Sequence, residues 1–275
     1  MPDDHTQNDM QKSFRAFTYE SGRITPAQSQ LIQETPIEIS INGEMNILIM
    51  FTPAHARELV TGFVFTEGLI DGLADIQECL IRAAEGEGGE RVLEARITTM
   101  GKRSRAAMRT GKRISYSSCG ICGKENYYEL KRGLRRVKGK LRFSMEVLVH
   151  LPDVMVQHQP VYKRTGGAHA AVLFDAEGNP LIHCEDMGRH NALDKVIGAA
   201  LIKGISCHDK ILLSSGRSSL EMIIKAARAG IPVFVAMSRP TSKAVEAAKF
   251  YNITLIDMAR GTNRIYSHVR RIEGF

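Results

Sequence analysis

The sequence has no tryptophan, and aromatic residues make up only 6% of its 275 positions. It also has no long apolar run: the stretch ending at Met237 contains seven residues, whereas a membrane-spanning helix needs about 20. The first residues are polar and include acids, unlike a secretory signal. The five cysteines are odd in number, which argues against a disulfide framework and for a reducing compartment. These absences exclude a membrane protein, a secreted scaffold and a fibrous protein, and they predict a cytoplasmic globular protein without a membrane partner.

The positive charge is concentrated in one segment. The whole chain has a net charge of +7, but residues 100–143 contain fourteen Lys or Arg against two acids, a local balance of +12. Such a block attracts nucleic acid, an acidic protein surface or a phosphorylated ligand. A solvated loop and helix face would have the same composition, so the charge alone does not choose between these interpretations.

The first half of the sequence predicts a tail followed by a mixed region. Residues 1–21 lack apolar periodicity, so we expect a mobile tail there. Isoleucines alternate with polar residues over positions 37–41, and Asn42-Gly43 supplies a tight turn, which predicts a β-hairpin. Thr52-Pro53 predicts the start of a helix. We assign residues 22–145 to an N-terminal α+β region. Two further strands are predicted at 76–82 and 91–99.

The second half, residues 146–275, alternates strands and helices. Short connections in such a β-α-β-α-β pattern favour parallel strands with right-handed crossovers. The predicted fold class of the chain is therefore α/β. The predicted strands are 170–175, 181–184, 210–213, 231–237 and 254–258, and the predicted helices are 191–202, 219–229 and 242–250.

Three successive strand ends in this half have similar loops, at 214–218, 237–241 and 258–263. Each loop combines small or hydroxylated residues with one arginine, which suits a phosphate or pyrophosphate. Ligands in such sheets bind beyond the carboxyl ends of the strands. The pattern thus favours a nucleotide-like site, with candidate residues Ser215, Arg217 and Arg239 in the first two loops.

The pair Cys119 and Cys122 lies in a glycine-flanked part of the basic segment. Three interpretations stay open. A structural zinc site would need four ligands, and no second such pair exists. A thioredoxin-like redox pair would be expected at a helix start within an alternating unit, whereas this pair lies in a basic loop between two unlike halves. The third is a nucleophilic thiol, activated by positive potential, that carries a persulfide with a second thiol nearby.

Two histidines also lie near predicted strand ends. His190 follows an acidic pair close to a helix start, where it suits a proton carrier and equally a cap and salt-bridge cluster. His169 follows two glycines at the start of a strand, where a structural role is more common.

Several ordered motifs between residues 34 and 268 resemble the FdhD/NarQ family of formate dehydrogenase accessory sulfurtransferases. The motifs are Thr61-Gly62-Phe63, Thr66-Glu67-Gly68-Leu69-Ile70, Cys119-Gly120-Ile121-Cys122-Gly123, Gly167-Ala168-His169-Ala170-Ala171, Glu185-Asp186-Met187-Gly188-Arg189-His190-Asn191, Ser219-Leu220-Glu221-Met222, Ser238-Arg239-Pro240-Thr241 and Tyr266-Ser267-His268.

The resemblance implies a sulfur carrier that accepts persulfide sulfur from a cysteine desulfurase. It implies transfer of that sulfur to the molybdenum cofactor, in its bis(molybdopterin guanine dinucleotide) form, for formate dehydrogenase. Cys119 matches the family's persulfide-bearing cysteine, and Cys122 matches the assisting one. The family's guanine-dinucleotide loop corresponds to Met258, Ala259, Arg260, Gly261, Thr262 and Asn263, with a threonine where a second glycine is common.

The resemblance also implies a cytidine deaminase-like C-terminal half. The zinc signature of the deaminases is absent, because Ala171 stands where their glutamate would be, so we expect neither a resident metal nor deamination. The expected partners are the desulfurase, the catalytic subunit of formate dehydrogenase and a second copy of the chain, with no nucleic acid. Two alternatives are a nucleic-acid-binding protein that uses the basic segment and a chaperone that only carries the cofactor.

Overall fold

The computed structural model describes residues 10–86, 88–89, 91–100, 114–116, 134–139 and 141–275. The strands are β1 (Gln11–Glu20), β2 (Arg23–Ile32), β3 (Thr35–Ile41), β4 (Met45–Phe51), β5 (Ile76–Glu85), β6 (Arg91–Thr99), β7 (Ile114–Tyr116), β8 (His169–Phe174), β9 (Pro180–Asp186), β10 (Ile211–Arg217), β11 (Val233–Ser238), β12 (Thr254–Asp257) and β13 (Arg264–Ile265). The helices are α1 (Ala56–Thr66), α2 (Met145–Gln157), α3 (Pro160–Thr165), α4 (Arg189–Ile202), α5 (Leu220–Ala229) and α6 (Ser242–Tyr251).

A five-stranded sheet is built from the first half of the chain. The predicted hairpin is confirmed: β3 pairs antiparallel with β4 through the turn at Asn42 and Gly43, both of which have positive φ. Ile37, Ile39 and Ile41 are all buried, because alternate side chains of a strand point to the same face. The strand order is β5-β6-β3-β4-β7.

The region predicted as a tail contains a strand. β1 pairs with β2 over ten residue pairs, from Gln11–Ile32 to Glu20–Arg23. This strand, which occupies residues 11–20 of the expected tail, was not predicted from the sequence. Most side chains of this hairpin are exposed, so burial imposes no apolar alternation that the sequence could reveal. The mobility of the tail stays a prediction.

A six-stranded sheet forms the second half, in the order β13-β12-β11-β10-β8-β9. β10, β11 and β12 are parallel to one another, which confirms the expectation from their alternation with α5 and α6. β8 runs antiparallel to β10 and β9 antiparallel to β8. The fold class is α/β, as predicted.

The two halves meet through helices α1 and α4. A Cβ atom built on Gly62 would lie 1.9 Å from the carbonyl oxygen of Asp194, and one built on Gly198 would lie 1.9 Å from that of Glu58. The helix backbones are therefore in direct contact, and one buried hydrophobic cluster includes residues of both sheets. The boundary proposed at residues 145 and 146 stays a prediction. Among the described helices, none is long and apolar enough to span a membrane.

Candidate functional site at the carboxyl edge of the second sheet

The three arginine-bearing loops follow neighbouring parallel strands. Ser214 of β10 is in register with Ala236 of β11, and Ala236 with Asp257 of β12. Parallel strands in register end at the same edge of a sheet, so the loops after them lie side by side. The amino end of β8 and the carboxyl end of β9 reach this edge as well, because Ser214 pairs with Ala171, and His169 with Asp186.

The predicted ligand residues of the first two loops differ in their surroundings. Arg217 and Arg239 are exposed, so both guanidinium groups are accessible at the edge. Ser215 is half-buried, and its hydroxyl accepts a hydrogen bond from the Ala170 amide at 2.9 Å and lies 3.2 Å from His169 Nδ1. Ser215 thus ties β10 to β8.

The loop at 258–263 begins inside the protein and ends at the surface. Met258 and Ala259 are buried, Gly261 has a φ of +70°, and Thr262 and Asn263 are exposed. The Thr262 hydroxyl donates to the Ala259 carbonyl at 2.9 Å, which closes the turn. The side chain of Arg260 lies outside the described part.

Asp257 holds the base of that loop. Its carboxylate is fully buried and accepts hydrogen bonds from the Ala259 amide at 3.1 Å and from the Tyr266 hydroxyl. Arg264 Nη1 lies 3.5 Å from the same carboxylate. Burial and the bond to Asp257 raise the pKa of Tyr266 above its ordinary value, so its hydroxyl keeps the proton that it donates.

A fully buried ion pair joins the first sheet to the end of β9. Lys195 Nζ lies 2.6 Å from Asp186 Oδ2 and donates to the Thr52 carbonyl at 2.9 Å. The Asp186 carboxylate also accepts from the amides of Thr52 and Gly188, and from Asn191 Nδ2. Because each charge is paired and hydrogen-bonded, burial is tolerated, and the chain after β4 is fixed beside the start of α4.

The predicted helix start at Thr52-Pro53 is wrong. Thr52-Pro53 does not begin the helix, since α1 starts at Ala56 with His55 as its N-cap. The Thr52 hydroxyl instead accepts a hydrogen bond from the Met187 amide at 3.0 Å. A long-range contact has replaced the local cap.

The acidic residue before Asp186 anchors another segment. Both carboxylate oxygens of Glu185 accept backbone hydrogen bonds from the first turn of α3, from Val161 at 2.9 Å and Tyr162 at 2.7 Å. Burial raises the pKa of Glu185, and these two amides oppose that rise. Glu185 therefore attaches α3 to the sheet.

A second buried network joins α1, α4 and α5. Lys225 Nζ lies 2.7 Å from Asp194 Oδ2 and 3.4 Å from Glu67 Oε1, and the Thr66 hydroxyl donates to Asp194 at 2.8 Å. Burial disfavours the charged ammonium, but the nearby carboxylates, Asp194 foremost, outweigh burial and raise the pKa of Lys225.

Of the two histidines singled out in the sequence, His169 begins β8 and His190 lies in the first turn of α4. Burial and the charge of Arg189 lower the pKa of His169, so this ring is neutral near pH 7. His190 is buried, with its Nε2 3.4 Å from the Ser219 hydroxyl and 3.8 Å from Glu221 Oε2. Both of its earlier interpretations are compatible with these contacts.

The predicted sulfur-carrying residues, Cys119 and Cys122, lie outside the described residues. Of the described cysteines, Cys184 and Cys207 are buried free thiols and Cys79 is half-buried. Burial raises the pKa of Cys184 to about 12 and that of Cys207 to about 11, which keeps both thiols protonated and unreactive. Within the described ranges, no three His, Cys, Asp or Glu side chains are grouped closely enough to hold a metal ion.

These features define an α/β protein with a polar, arginine-bearing edge on a mixed sheet, whose central strands β10, β11 and β12 are parallel. Residues 32–273 match the FdhD/NarQ family model. The chain is 36% identical over 252 residues to the sulfur carrier protein FdhD of Thermoplasma acidophilum, covering 90% of this chain and 88% of the relative. It is also 36% identical over 266 residues to the Nocardia farcinica protein of the same name, covering 91% and 92%. The chain belongs to the FdhD/NarQ family.

The fold is also that of a crystal structure designated a formate dehydrogenase accessory protein, from Desulfotalea psychrophila. The TM-score is 0.73, and the match covers 96% of this chain and 99% of that one. Because the identity is 21%, this likeness establishes the shared fold alone.

Proposed function

We propose that this protein is a sulfurtransferase that carries sulfur as a persulfide on Cys119. The donor is a cysteine desulfurase, and the acceptor is the molybdenum cofactor in its guanine dinucleotide form, before the cofactor reaches formate dehydrogenase. In the loading step the Cys119 thiolate attacks the outer sulfur of the donor's persulfide, the donor's sulfur–sulfur bond breaks and the donor cysteine leaves as a thiolate. Cys122 assists as the second thiol. Relatives named sulfur carrier protein FdhD support this assignment.

The connection between β7 and β4 is the observation that carries the proposal. β7 pairs in parallel with β4, with Tyr116 opposite Ile49. Tyr116 precedes Cys119 by three residues, a reach of about 10 Å. β4 leads in the same direction to Thr52, which is bound to Asp186 at the carboxyl edge of the second sheet. This arrangement supports delivery of sulfur to that edge.

The same edge supplies the groups proposed to bind the cofactor. Arg217 and Arg239 are exposed beside small and hydroxylated residues, and the loop at 258–263 contributes Arg260 and a glycine with positive φ. Arginines and backbone amides together bind pyrophosphate groups.

We base the proposed protein partners on the charge of the basic segment and on the family. Arg135, Arg136 and Lys138 are exposed and belong to the basic segment, which would attract an acidic surface on the desulfurase. The crystal structure from Desulfotalea psychrophila that shares the fold is designated a formate dehydrogenase accessory protein, and we propose that this chain also associates with that enzyme. We further propose a cytoplasmic location and a homodimer.

Mass spectrometry after incubation with a desulfurase and cysteine tests the sulfur-carrying residue. A mass gain of about 32 Da, one sulfur atom, is expected on the Cys119 peptide. Cys119→Ala should abolish the gain and Cys122→Ala should retain part of it. Labelling of Cys79, Cys184 or Cys207 instead would contradict the assignment. Full support of formate dehydrogenase by a variant lacking both thiols would favour the alternative of a cofactor-carrying chaperone.

Calorimetry with GDP tests the nucleotide site. Arg260→Ala should weaken binding by about 1.5–3 kcal/mol if its guanidinium meets a phosphate. Arg217→Ala and Arg239→Ala test the neighbouring loops in the same way. Absence of GDP binding by the wild type, or unchanged affinity in all three variants, would contradict this site.

A salt series tests the basic segment. Replacing Arg135, Arg136, Lys138 and Lys140 together by Gln should slow sulfur loading more than it weakens GDP binding, because screened attraction acts mainly on association. Loading rates that change neither with salt nor with the four substitutions would assign the segment to a solvated surface. A salt-dependent shift of nucleic acid on a gel would favour the nucleic-acid-binding alternative.

A further inference from the structure

The β1–β2 hairpin forms a two-stranded sheet of its own. Near its base, Ile32 packs against a small buried cluster that contains Val161 of α3. Beyond the base most side chains are exposed, among them Phe17 at 62%, Tyr19 at 72% and Ile24 at 71%. A two-stranded hairpin by itself is at best marginally stable in water, so we expect a further surface to cover this one.

The turn of the hairpin determines which backbone groups of β1 are free. Glu20 and Arg23 are the last pair of the ladder. The two turn residues, Ser21 and Gly22, both have positive φ, as in a type I′ turn, and the pair that flanks such a turn is hydrogen-bonded. Because hydrogen-bonded and non-hydrogen-bonded pairs alternate along an antiparallel ladder, the even-numbered residues of β1 are bonded to β2. The odd-numbered residues over positions 13–19 therefore direct their N–H and C=O groups to the outer edge of β1.

The two outer edges of the hairpin differ in their capacity to pair. By the same alternation, the even-numbered residues of β2 direct their backbone groups outward, and Pro26 is one of them. Proline has no N–H group, and a proline on an edge strand hinders the addition of another strand. β1 contains no proline, and among the residues that the structure describes no other strand pairs with its outer edge. β1 is therefore the edge at which a further strand can add.

The sequence of β1 is complementary to itself in the antiparallel direction. If β1 pairs with β1 of a second copy, odd-numbered residues must lie opposite odd-numbered ones so that the outward groups meet. With Ala16 on the two-fold axis this condition holds over residues 12–20, and Lys12 of each copy lies opposite Glu20 of the other. Opposite charges directly across a ladder are favourable, whereas a pairing centred on Arg15 would oppose two like charges. The charges of β1 thus favour a second copy of the same strand and one register.

This register also gives the exposed aromatic side chains a contact. Arg15 of one copy lies opposite Phe17 of the other, and the two Phe17 rings become diagonal neighbours within reach of each other. Within one chain, Arg15 Cζ lies 5.7 Å from the centroid of the Phe17 ring. The cation and the rings of both copies therefore share one face of the combined sheet, and apolar surface that is exposed in a single chain leaves water.

We propose that β1 strands of two copies pair antiparallel about Ala16, so that the two hairpins form one four-stranded sheet between two molecules. This pairing is the interface of the homodimer proposed above and rests on that proposal. It does not depend on the proposed sulfur transfer or cofactor binding.

Sedimentation velocity over a concentration series tests this interface, and one rung of the hairpin supplies both the variant and its control. Ser13 and Gln30 face each other across the hairpin, and both direct their N–H groups outward. Ser13→Pro removes two hydrogen bonds between the copies, so the dissociation constant of the dimer should rise by about tenfold or more. Gln30→Pro removes an N–H group from the edge that Pro26 already blocks, and it should leave the dissociation constant within about twofold of the wild-type value. Circular dichroism should show the same unfolding midpoint for both variants, because neither residue belongs to the main hydrophobic core.

Disulfide cross-linking tests the register. Ala16 of the two copies would form a non-hydrogen-bonded pair with Cα atoms about 4.5 Å apart, a distance that a disulfide can bridge. Ala16→Cys should therefore give a covalent dimer with oxidised glutathione, above the level that the wild type gives. Ala27→Cys is the matched control, because Ala27 lies opposite Ala16 in the same hairpin but in the strand on the blocked side. It should not cross-link above the wild-type level.

The possible failures are distinguishable. A wild type that stays monomeric throughout the concentration series would overturn both this interface and the homodimer. A dimer that Ser13→Pro does not weaken and Ala16→Cys does not cross-link would overturn the interface alone and assign the homodimer to another surface. If the wild type were monomeric and floated with anionic vesicles, and a variant with Phe17→Ser and Tyr19→Ser did not, the hairpin would be assigned to a lipid surface instead.

Discussion

The contact between α1 and α4 leads to a sharp prediction about stability. Gly62 and Gly198 each face a backbone carbonyl of the other helix, at 1.9 Å from the position of a Cβ atom. An ordinary van der Waals contact begins at 3.4 Å, so a methyl group at either site requires a shift of about 1.5 Å. The obstructing atoms belong to helical backbone and cannot rotate away. The helices must separate, and the core between them must open.

The expected loss of stability for Gly62→Ala is about 2–4 kcal/mol. Overpacking of a core costs about 1–3 kcal/mol and sometimes more, and rigid obstructing atoms place this site at or above the upper end. The higher helix propensity of alanine offsets about 1 kcal/mol. Since one separation of the helices accommodates both methyl groups, the double variant with Gly198→Ala should lose less than the sum of the two single losses.

Urea unfolding followed by circular dichroism measures these losses. Gly72→Ala is the matched control, because a Cβ there meets nothing within 4 Å and the backbone is extended with a φ of −176°. The control should stay within about 0.5 kcal/mol of the wild type. If Gly62→Ala and Gly198→Ala were as stable as this control, or if their losses simply added, the inferred contact of the two backbones would be wrong.

Three further predictions concern buried polar groups. Asp194→Ala should lower the free energy of unfolding in urea by about 3–5 kcal/mol, because it leaves the Lys225 ammonium buried beside fewer carboxylates. The double variant Asp194→Leu, Lys225→Met should recover much of that loss. A loss below about 1 kcal/mol for the single variant would contradict the network. Cys184 should resist iodoacetamide at pH 8 in the folded protein but react in urea, as peptide mass spectrometry can show. Its pKa is about 12 in the fold and about 8.5 when exposed, so the free energy of unfolding should fall as pH rises through that interval. Cys184→Ala should lessen this fall. Tyr266→Phe should lower stability by about 1–3 kcal/mol because Asp257 loses a donor, and an unchanged denaturation midpoint would show that Asp257 does not depend on that hydroxyl.

The parts of the fold that follow a local period could be predicted from sequence. The alternating isoleucines of β3, the turn at Asn42 and Gly43, and the succession β10-α5-β11-α6-β12 all express spacing between residues close in the chain. The exposed β1–β2 hairpin could not be predicted, because exposed strands carry no apolar alternation. α2 and α3 were also missed, although Ser144 caps α2 and Pro160 begins α3, both of which are helix-start signals.

The candidate site, like the fold, could be predicted from the sequence only in part. The three loops could be located from composition and strand order alone, and their common edge is confirmed. The partners of Asp186 and Asp194 could not be found, since Thr52 and Thr66 lie more than a hundred residues earlier in the chain. The density of polar residues at 185–191 did mark the place where these contacts gather. Which sites bind a ligand stays a prediction.

The order of strands along the edge constrains the ligand that we propose to bind there. The nucleotide loop follows β12, whereas Thr52, through which β4 and β7 connect to the edge, is bound at the end of β9. In the sheet order β12-β11-β10-β8-β9 these ends lie four strand spacings apart, about 19 Å. A mononucleotide held at the loop would not reach the region near β9 from which we propose that sulfur is delivered. An extended cofactor would reach it by lying along the ends of β11, β10 and β8, which separate the two.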